Sequence, residues 1–205
     1  MTAVAGPSSG DENWGGRLPL VRSGRLDEDQ LALDDEVRTE VVPWARRSGF
    51  HAATAEGDLI GPFNAFVHRP GPGRLFVDWV RADQADSTLA APLREIIILT
   101  IGVAWNSDYE IYAHTAVARQ AGVAEPVIAA LLNGEPSEQL SATEAAVHRF
   151  TVELVGTRSV SDDTYRVALE AVGQAGVLDM VNLIGMYLAT SALLNTFRIP
   201  APSGE

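Results

Sequence analysis

Residues 92–122 read PLREIIILTIGVAWNSDYEIYAHTAVARQAG, and this stretch decides both the fold and the chemistry. An apolar helix from Pro92 to about Ala104 carries one acid, Glu95, near its start. A polar break, Asn106-Ser107-Asp108, follows, and a second helix then carries Glu110 and His114. Four residues apart on a helix, Glu110 and His114 project from one face. Ser107 stands one turn earlier on that face, within about 60° of both at about 100° per residue. Glu95 reaches the same place if the two helices pack side by side. Two acids and a histidine converging between apolar helices make a proton-transfer site.

Each of these residues also has a structural reading. Ser107-Asp108-Tyr109-Glu110 fits the capping box, in which Glu110 folds back onto its own backbone and does no chemistry. Glu95, one turn in from Pro92, complements the helix dipole. A single histidine on a half-apolar helix is a satisfied core or rim residue in many proteins. The spacing of the three together carries the functional reading.

Working outward, the pattern stays helical. Asp27 to Arg47 predicts a helix with Asp27 as N-cap, broken or kinked at Pro43 and ended by Gly49. Gly61-Pro62-Phe63-Asn64-Ala65-Phe66-Val67-His68 predicts about two turns, opened by Gly-Pro and stopped by the run Pro70-Gly71-Pro72-Gly73. Arg74 to Ala82 is a short amphipathic helix. Beyond the central pair, Gly122 is a C-terminal cap and Glu125 to Leu132 a short helix. Ser141-Ala142-Thr143-Glu144 is a second capping-box signal, opening a helix to about Val155. Ser161 to Val172 and Val177 to Phe197 are the last two helices, with Gly173 and Gly176 between them. No stretch alternates apolar and polar residues with hairpin turns, so the fold class is all-α. Residues 1–17 read as a flexible extension, 18–200 as a single domain and 201–205 as a tail.

Composition narrows the function. With 205 residues the chain fits one domain able to bury a proper core. Fifteen Lys and Arg stand against 27 Asp and Glu, a formal charge of −12 with no basic run, which excludes a phosphate-binding surface for nucleic acid. The absence of cysteine excludes disulfides, Cys-ligated zinc and iron–sulfur clusters. Residues 1–16 have no apolar core or basic leader, and no uninterrupted apolar run reaches the roughly 18 residues of a membrane span. The expected setting is cytoplasmic, away from membranes. No G-x-G-x-x-G after a strand, phosphate loop or G-x-S-x-G elbow occurs.

LREIIILTIGVAWNSDYEIYAH resembles the core motif of the carboxymuconolactone decarboxylase and alkyl-hydroperoxidase-D superfamily. The peroxidase branch carries a Glu, a Cys-x-x-Cys pair opening the next helix, and a His four residues after the second Cys. On this chain those positions are Glu95, Ser107, Glu110 and His114. GPFNAFVHRP (Gly61 to Pro70) is similar to a pocket-forming segment of the family, and LIGMYLATSALLNTFRIP extends the likeness to about residue 200. Without a thiol, the peroxidase activity is not implied. What the resemblance implies is a cofactor-independent lyase, decarboxylating a small cyclic or β-keto acid-like substrate through an enolate. His114 would be the acid/base, with Glu110 or Glu95 orienting it, and neither cofactor nor metal is expected. Ser107, Asn64, Phe63, His68 and Trp105 are the expected substrate-binding residues. His148 reads as structural, and His51 lies in a loop. The same acid/base set serves an isomerase, dehydratase or cyclase of a specialised pathway. A helical oligomer that binds a ligand or partner without catalysis is the rival from another class. The apolar last helix, with family precedent, points to self-association as a dimer, trimer or hexamer.

Overall fold

The computed structural model describes residues 13–22, 24 and 26–202. Among them are eight helices: α1 (Glu28–Ser48), α2 (Pro62–His68), α3 (Pro70–Asp86), α4 (Ala91–Ala104), α5 (Asp108–Ala121), α6 (Glu125–Leu132), α7 (Ala142–Thr157) and α8 (Asp162–Phe197). No strand occurs among the described residues; Ala53 and Leu59 form one isolated bridge.

The molecule is built around α4. Its run Ile96-Ile97-Ile98-Leu99 is buried on every side, as expected of a helix apolar all round. Ile97, Ile98 and Ile101 pack with Val147 and Phe150 of α7 and Met180, Leu183 and Ile184 of α8. Ile96 and Leu99 face the other way, onto Ala118 of α5 and Val127, Ile128 and Leu131 of α6. Each such side chain contributes about 1.5–3 kcal/mol of transfer free energy, so α4 is the helix that least tolerates displacement. Two further cores wrap α1, one with Tyr109, Ala113 and Leu194 and one with Val67 and Val77. Trp14 is buried in the first of these, and the Arg17 N–H donates to the Phe197 carbonyl at 2.7 Å. That portion of the expected extension is packed; residues 1–12 lie outside the described residues.

The caps at Asp27, Gly49, Gly122 and Ser141 form where the sequence places them, with full capping boxes at Asp27 and Ser141. Two expectations are corrected. Pro43 does not end α1: buried Leu33, Val37 and Ala45 hold the helix on both sides of it, outweighing one lost hydrogen bond. The Pro-Gly-Pro-Gly run follows the end of α2, as expected, but is itself the first turn of α3, which begins at Pro70 and not at Arg74. Pro70 sits in the first turn, where a missing N–H costs nothing, and Arg69 takes the extended conformation that proline imposes on its predecessor. Within α8 the backbone leaves the helical region at Gly173, at φ 73° and ψ 175°, where the sequence places the break between its last two helices. α8 is long and apolar enough to cross a membrane by length and composition. Its Met180, Leu183 and Ile184 are spent in the core with α4 and α7.

A buried ion pair ties the second half of the fold together. Arg94 of α4 donates to Asp83 of α3, whose other oxygen accepts from Asn182 of α8 at 2.9 Å. Asn182 in turn accepts from the Trp79 indole at 2.8 Å.

Gly61, at φ 65°, lets α2 begin directly against Tyr109, where an added Cβ would stand 2.2 Å from the ring. The Tyr109 hydroxyl donates to the His51 carbonyl at 2.7 Å. Gly61→Ala therefore meets both backbone strain and overpacking, and should cost about 3 kcal/mol in urea unfolding. A loss below about 1 kcal/mol would mean that Tyr109 moves aside freely.

Candidate functional site

α4 and α5 pack side by side, and Glu95, Glu110 and His114 meet between them. The approach is close because α4 presents Gly102 to α5: a Cβ there would lie 3.4 Å from the Glu110 Cβ. His114 Nδ1 lies 2.8 Å from Glu95 Oε2, and its Nε2 lies 3.4 Å from Glu110 Oε2. The imidazole is thus held between two carboxylates, one on each ring nitrogen. All three side chains are buried, at 7%, 4% and 8% exposure for Glu95, Glu110 and His114. Tyr187 of α8 meets the imidazole edge-on, ring centres 5.0 Å apart at 90°.

Burial dominates the electrostatics of Glu110. Desolvation pushes its carboxyl up to about 7; the His114 charge opposes this and the Glu95 charge adds to it. For His114, desolvation works to lower the pKa. The charge and hydrogen bond of Glu95, helped by Glu110, outweigh it against a small opposing effect of Arg94, so the imidazole is raised above its ordinary value. A carboxyl raised to about 7 and an imidazole raised above its ordinary value therefore stand next to each other. Tyr187 is pushed the other way: burial first, then the two nearby carboxylates, raises its phenol well above the ordinary value and keeps it neutral.

Glu110 and His114 open onto a cavity of about 330 Å³. Rings of Trp44, Phe50, Phe63, Phe76, Tyr109 and Tyr187 wall much of it, with Glu40, Arg81 and Gln84 as polar members away from the acid/base pair. Glu95 is not among the lining residues; it stands behind His114 and acts on the ring, not on whatever fills the cavity. Its hydrogen bond fixes which nitrogen faces inward. With the proton of neutral imidazole on Nδ1, directed at Glu95, Nε2 is left as the acceptor on the Glu110 side.

The capping-box reading of Glu110 does not hold. Ser107 makes no side-chain cap, and the Glu110 carboxylate lies against His114 Nε2. The Ser107 hydroxyl is fully buried and without a hydrogen-bond partner. Of the residues expected to bind substrate, Phe63 lines the cavity, whereas Ser107, Asn64, His68 and Trp105 do not. Asn64 and His68 are occupied with the segment before α1: Asn64 accepts from the Val21 N–H at 2.9 Å and donates to the Pro19 carbonyl at 3.3 Å. The His68 ring contacts the same carbonyl at 2.9 Å. Trp105 ends α4 with its ring 39% exposed and its carbonyl taken by Asn195 at 2.6 Å. His51 is pinned through its backbone by Tyr109 and Tyr112, and His148 is buried in α7, which lowers its pKa. Reading the sequence missed Tyr187, Trp44, Arg81 and Glu40. None belongs to a motif, and only the packing of α1, α3 and α8 around one space brings them together. No group of three or more His, Asp or Glu among the described residues is arranged to hold a metal ion.

Comparison with known proteins accords with this geometry. Residues 70–151, from α3 into α7 and including Glu95, Glu110 and His114, match the model of the carboxymuconolactone decarboxylase family. No curated protein sequence matches the chain. Among solved structures, a peroxidase-related protein from Ralstonia eutropha JMP134 with an alkylhydroperoxidase AhpD core aligns at a TM-score of 0.71. It is 17% identical, covering 91% of this chain and 92% of that one. A peroxidase-related protein from Silicibacter sp. TM1040 gives the same TM-score at 13% identity, with 96% and 94% covered. A cysteine-to-alanine variant of the debrominase Bmp8, in complex with 2,3,4-tribromopyrrole, aligns at 0.68 and 11% identity over 90% of each chain. The matched segment is thus similar to the carboxymuconolactone decarboxylase family, and the chain as a whole has the all-α fold of these alkyl-hydroperoxidase-D-like proteins.

Proposed function

We infer that the protein is a cofactor-independent acid/base enzyme that moves a proton on a small cyclic carbonyl compound. The observation that carries this is one imidazole buried between two carboxylates and opening, with one of them, onto an aromatic cavity. Nε2 of His114 removes a proton from the carbon beside the carbonyl, and the bonding pair moves onto the carbonyl oxygen as an enolate. Glu110, protonated near neutrality, donates a hydrogen bond to that oxygen. The imidazolium then returns the proton at carbon. In the lyase form, the bond to a carboxylate breaks instead, carbon dioxide leaves with the pair remaining as the enolate, and His114 supplies the proton. Isomerisation, dehydration or cyclisation uses the same groups and is the second reading, favoured by one observation: the Arg81 guanidinium on the cavity wall is already ion-paired. The likeness to a debrominase in complex with a small ring compound supports an enzymatic use of this fold. Self-association belongs to the same proposal, supported by Leu178 and Val181, which α8 leaves 63% and 48% exposed. Light scattering should give a mass above the 21.9 kDa of one chain; a mass equal to it removes this part of the proposal.

Carbon dioxide release from 4-carboxymuconolactone distinguishes the lyase form, and NMR detection of a shifted proton distinguishes the isomerase form. For whichever turnover is found, His114→Ala should lower kcat/KM by roughly a hundredfold to ten-thousandfold while circular dichroism and melting stay near wild type. Undiminished turnover by the folded variant would end the acid/base assignment.

The Glu110 shift has a consequence for stability. Between the free value of 4.5 and about 7, the folded chain holds a proton that the unfolded chain has released. Stability therefore falls as pH rises through that window, by about 3 kcal/mol in all, and the cost is absent at lower pH. Glu110→Gln should accordingly be more stable than wild type at pH 8 by about 1–3 kcal/mol. In denaturant unfolding the difference should shrink as pH approaches 4.5; a gap independent of pH would show that Glu110 does not titrate there.

A further inference from the structure

We propose that the cavity selects an uncharged ring compound and rejects carboxylates, because each cation that lines or borders it is already matched or exceeded by carboxylates of the protein itself. This rests on the reading of the cavity as the substrate site and adds the electrical class of what fills it. Four charged residues line the space: Glu40, Arg81, Glu110 and His114. Arg81 is the residue that would greet an anionic substrate, and it is fully engaged. Its guanidinium lies 2.5 Å from Glu36, 2.6 Å from Glu40 and 3.0 Å from Asp78, three carboxylates on one cation. Glu36 is also bound by Arg74, so the cluster holds two guanidiniums against three acids. Burial works to raise the Glu36 carboxyl, yet its hydrogen bonds to Arg81 and Arg74 prevail and hold it below the ordinary value, so it stays ionised.

The other end is balanced in the same sense. The His114 imidazole faces Glu95 on one side and Glu110 on the other. A substrate carboxylate approaching His114 would find the imidazole already matched by the Glu95 carboxylate behind it, with the Glu110 carboxyl occupying the same approach in a dry site. Approaching Arg81, it would compete with Glu40 and Asp78 for the guanidinium and could displace Glu36, which is largely buried, only by leaving that carboxylate poorly compensated. A cation fares little better, since its nearest acids are held by Arg81 and His114 and the remaining wall is aromatic and aliphatic, unable to replace lost hydration. An uncharged ring with one hydrogen-bonding group loses little on entering and meets His114 and Glu110 with that group. This preference puts a proton shift on a neutral compound ahead of decarboxylation of a charged lactone.

Three matched probes test it by isothermal titration of the full-length wild-type chain at pH 7.5: methyl benzoate, benzoate and benzylammonium. Methyl benzoate should bind at least about tenfold more tightly than either charged probe. Benzoate or benzylammonium binding as tightly as the ester, or no binding of any probe at about 10 mM, overturns the proposal. The double substitution Glu36→Gln with Glu40→Gln leaves Arg81 with Asp78 alone and should raise benzoate affinity by roughly tenfold relative to methyl benzoate. If the folded double variant gains no benzoate affinity, Arg81 is not the matched cation described. Should that variant fail to fold, the wild-type probe series decides alone. Because binding is read without turnover, the two readings fail separately. Full activity in His114→Ala would remove the acid/base assignment and leave the charge preference standing, whereas a preference for benzoate would do the reverse.

Discussion

The structure turns on the burial of two carboxylates and an imidazole between α4 and α5. Groups of this kind are expensive to take out of water, and they persist there only because they satisfy one another. Glu95 and His114 can share one proton and one hydrogen bond, which leaves Glu110 as the member whose charge is least compensated; its raised carboxyl reflects this. The surrounding helices supply the rigidity that keeps the three in register. α4 is locked by isoleucines on opposite faces, and α8 brings Tyr187 against the free edge of the imidazole. The shifted titration of Glu110 and His114 follows from packing, since the same residues on an exposed helix would hydrate and titrate at their ordinary values.

Much of this was legible in the sequence because it is local or periodic. The spacing of Glu110 and His114 fixes their common face whatever the rest of the chain does. The unbroken apolar run Ile96 to Leu99 admits only a buried helix, and capping residues such as Asp27, Gly49 and Ser141 act within one turn of themselves. The all-α class follows from the same signals. Proline proved less directional: at Pro43 packing on both sides overrode it, and at Pro70 it began a new helix as well as following the end of one. Sequence alone carries the local preference of a proline but not the tertiary contacts that decide which preference prevails.

The cavity was much less legible. Its far wall comes from α1 and α3, more than 20 residues from the acid/base pair in sequence, and no motif marks Trp44, Arg81 or Glu40. Asn64 and His68 have the residue types of a binding site, yet the structure gives their polar atoms to Pro19 and Val21. A side chain with hydrogen-bonding capacity finds whichever backbone group is nearest, and a sequence does not say which that is.

The division of labour between these two walls has an evolutionary consequence. Acid/base groups sit on helices anchored in the densest part of the molecule, where almost any change disturbs several neighbours at once. The opposite wall, on α1 and α3, carries aromatic and ionic side chains at the edge of the fold, and α1 lies before the segment that the family model matches. Descendants of such a protein can redraw the outline of the cavity by altering Trp44, Phe76 or the Arg81 cluster, and retain the buried Glu95, Glu110 and His114 intact. Divergence in what is bound is thereby uncoupled from divergence in what is done to it, which is a route by which one helical scaffold comes to serve many chemistries.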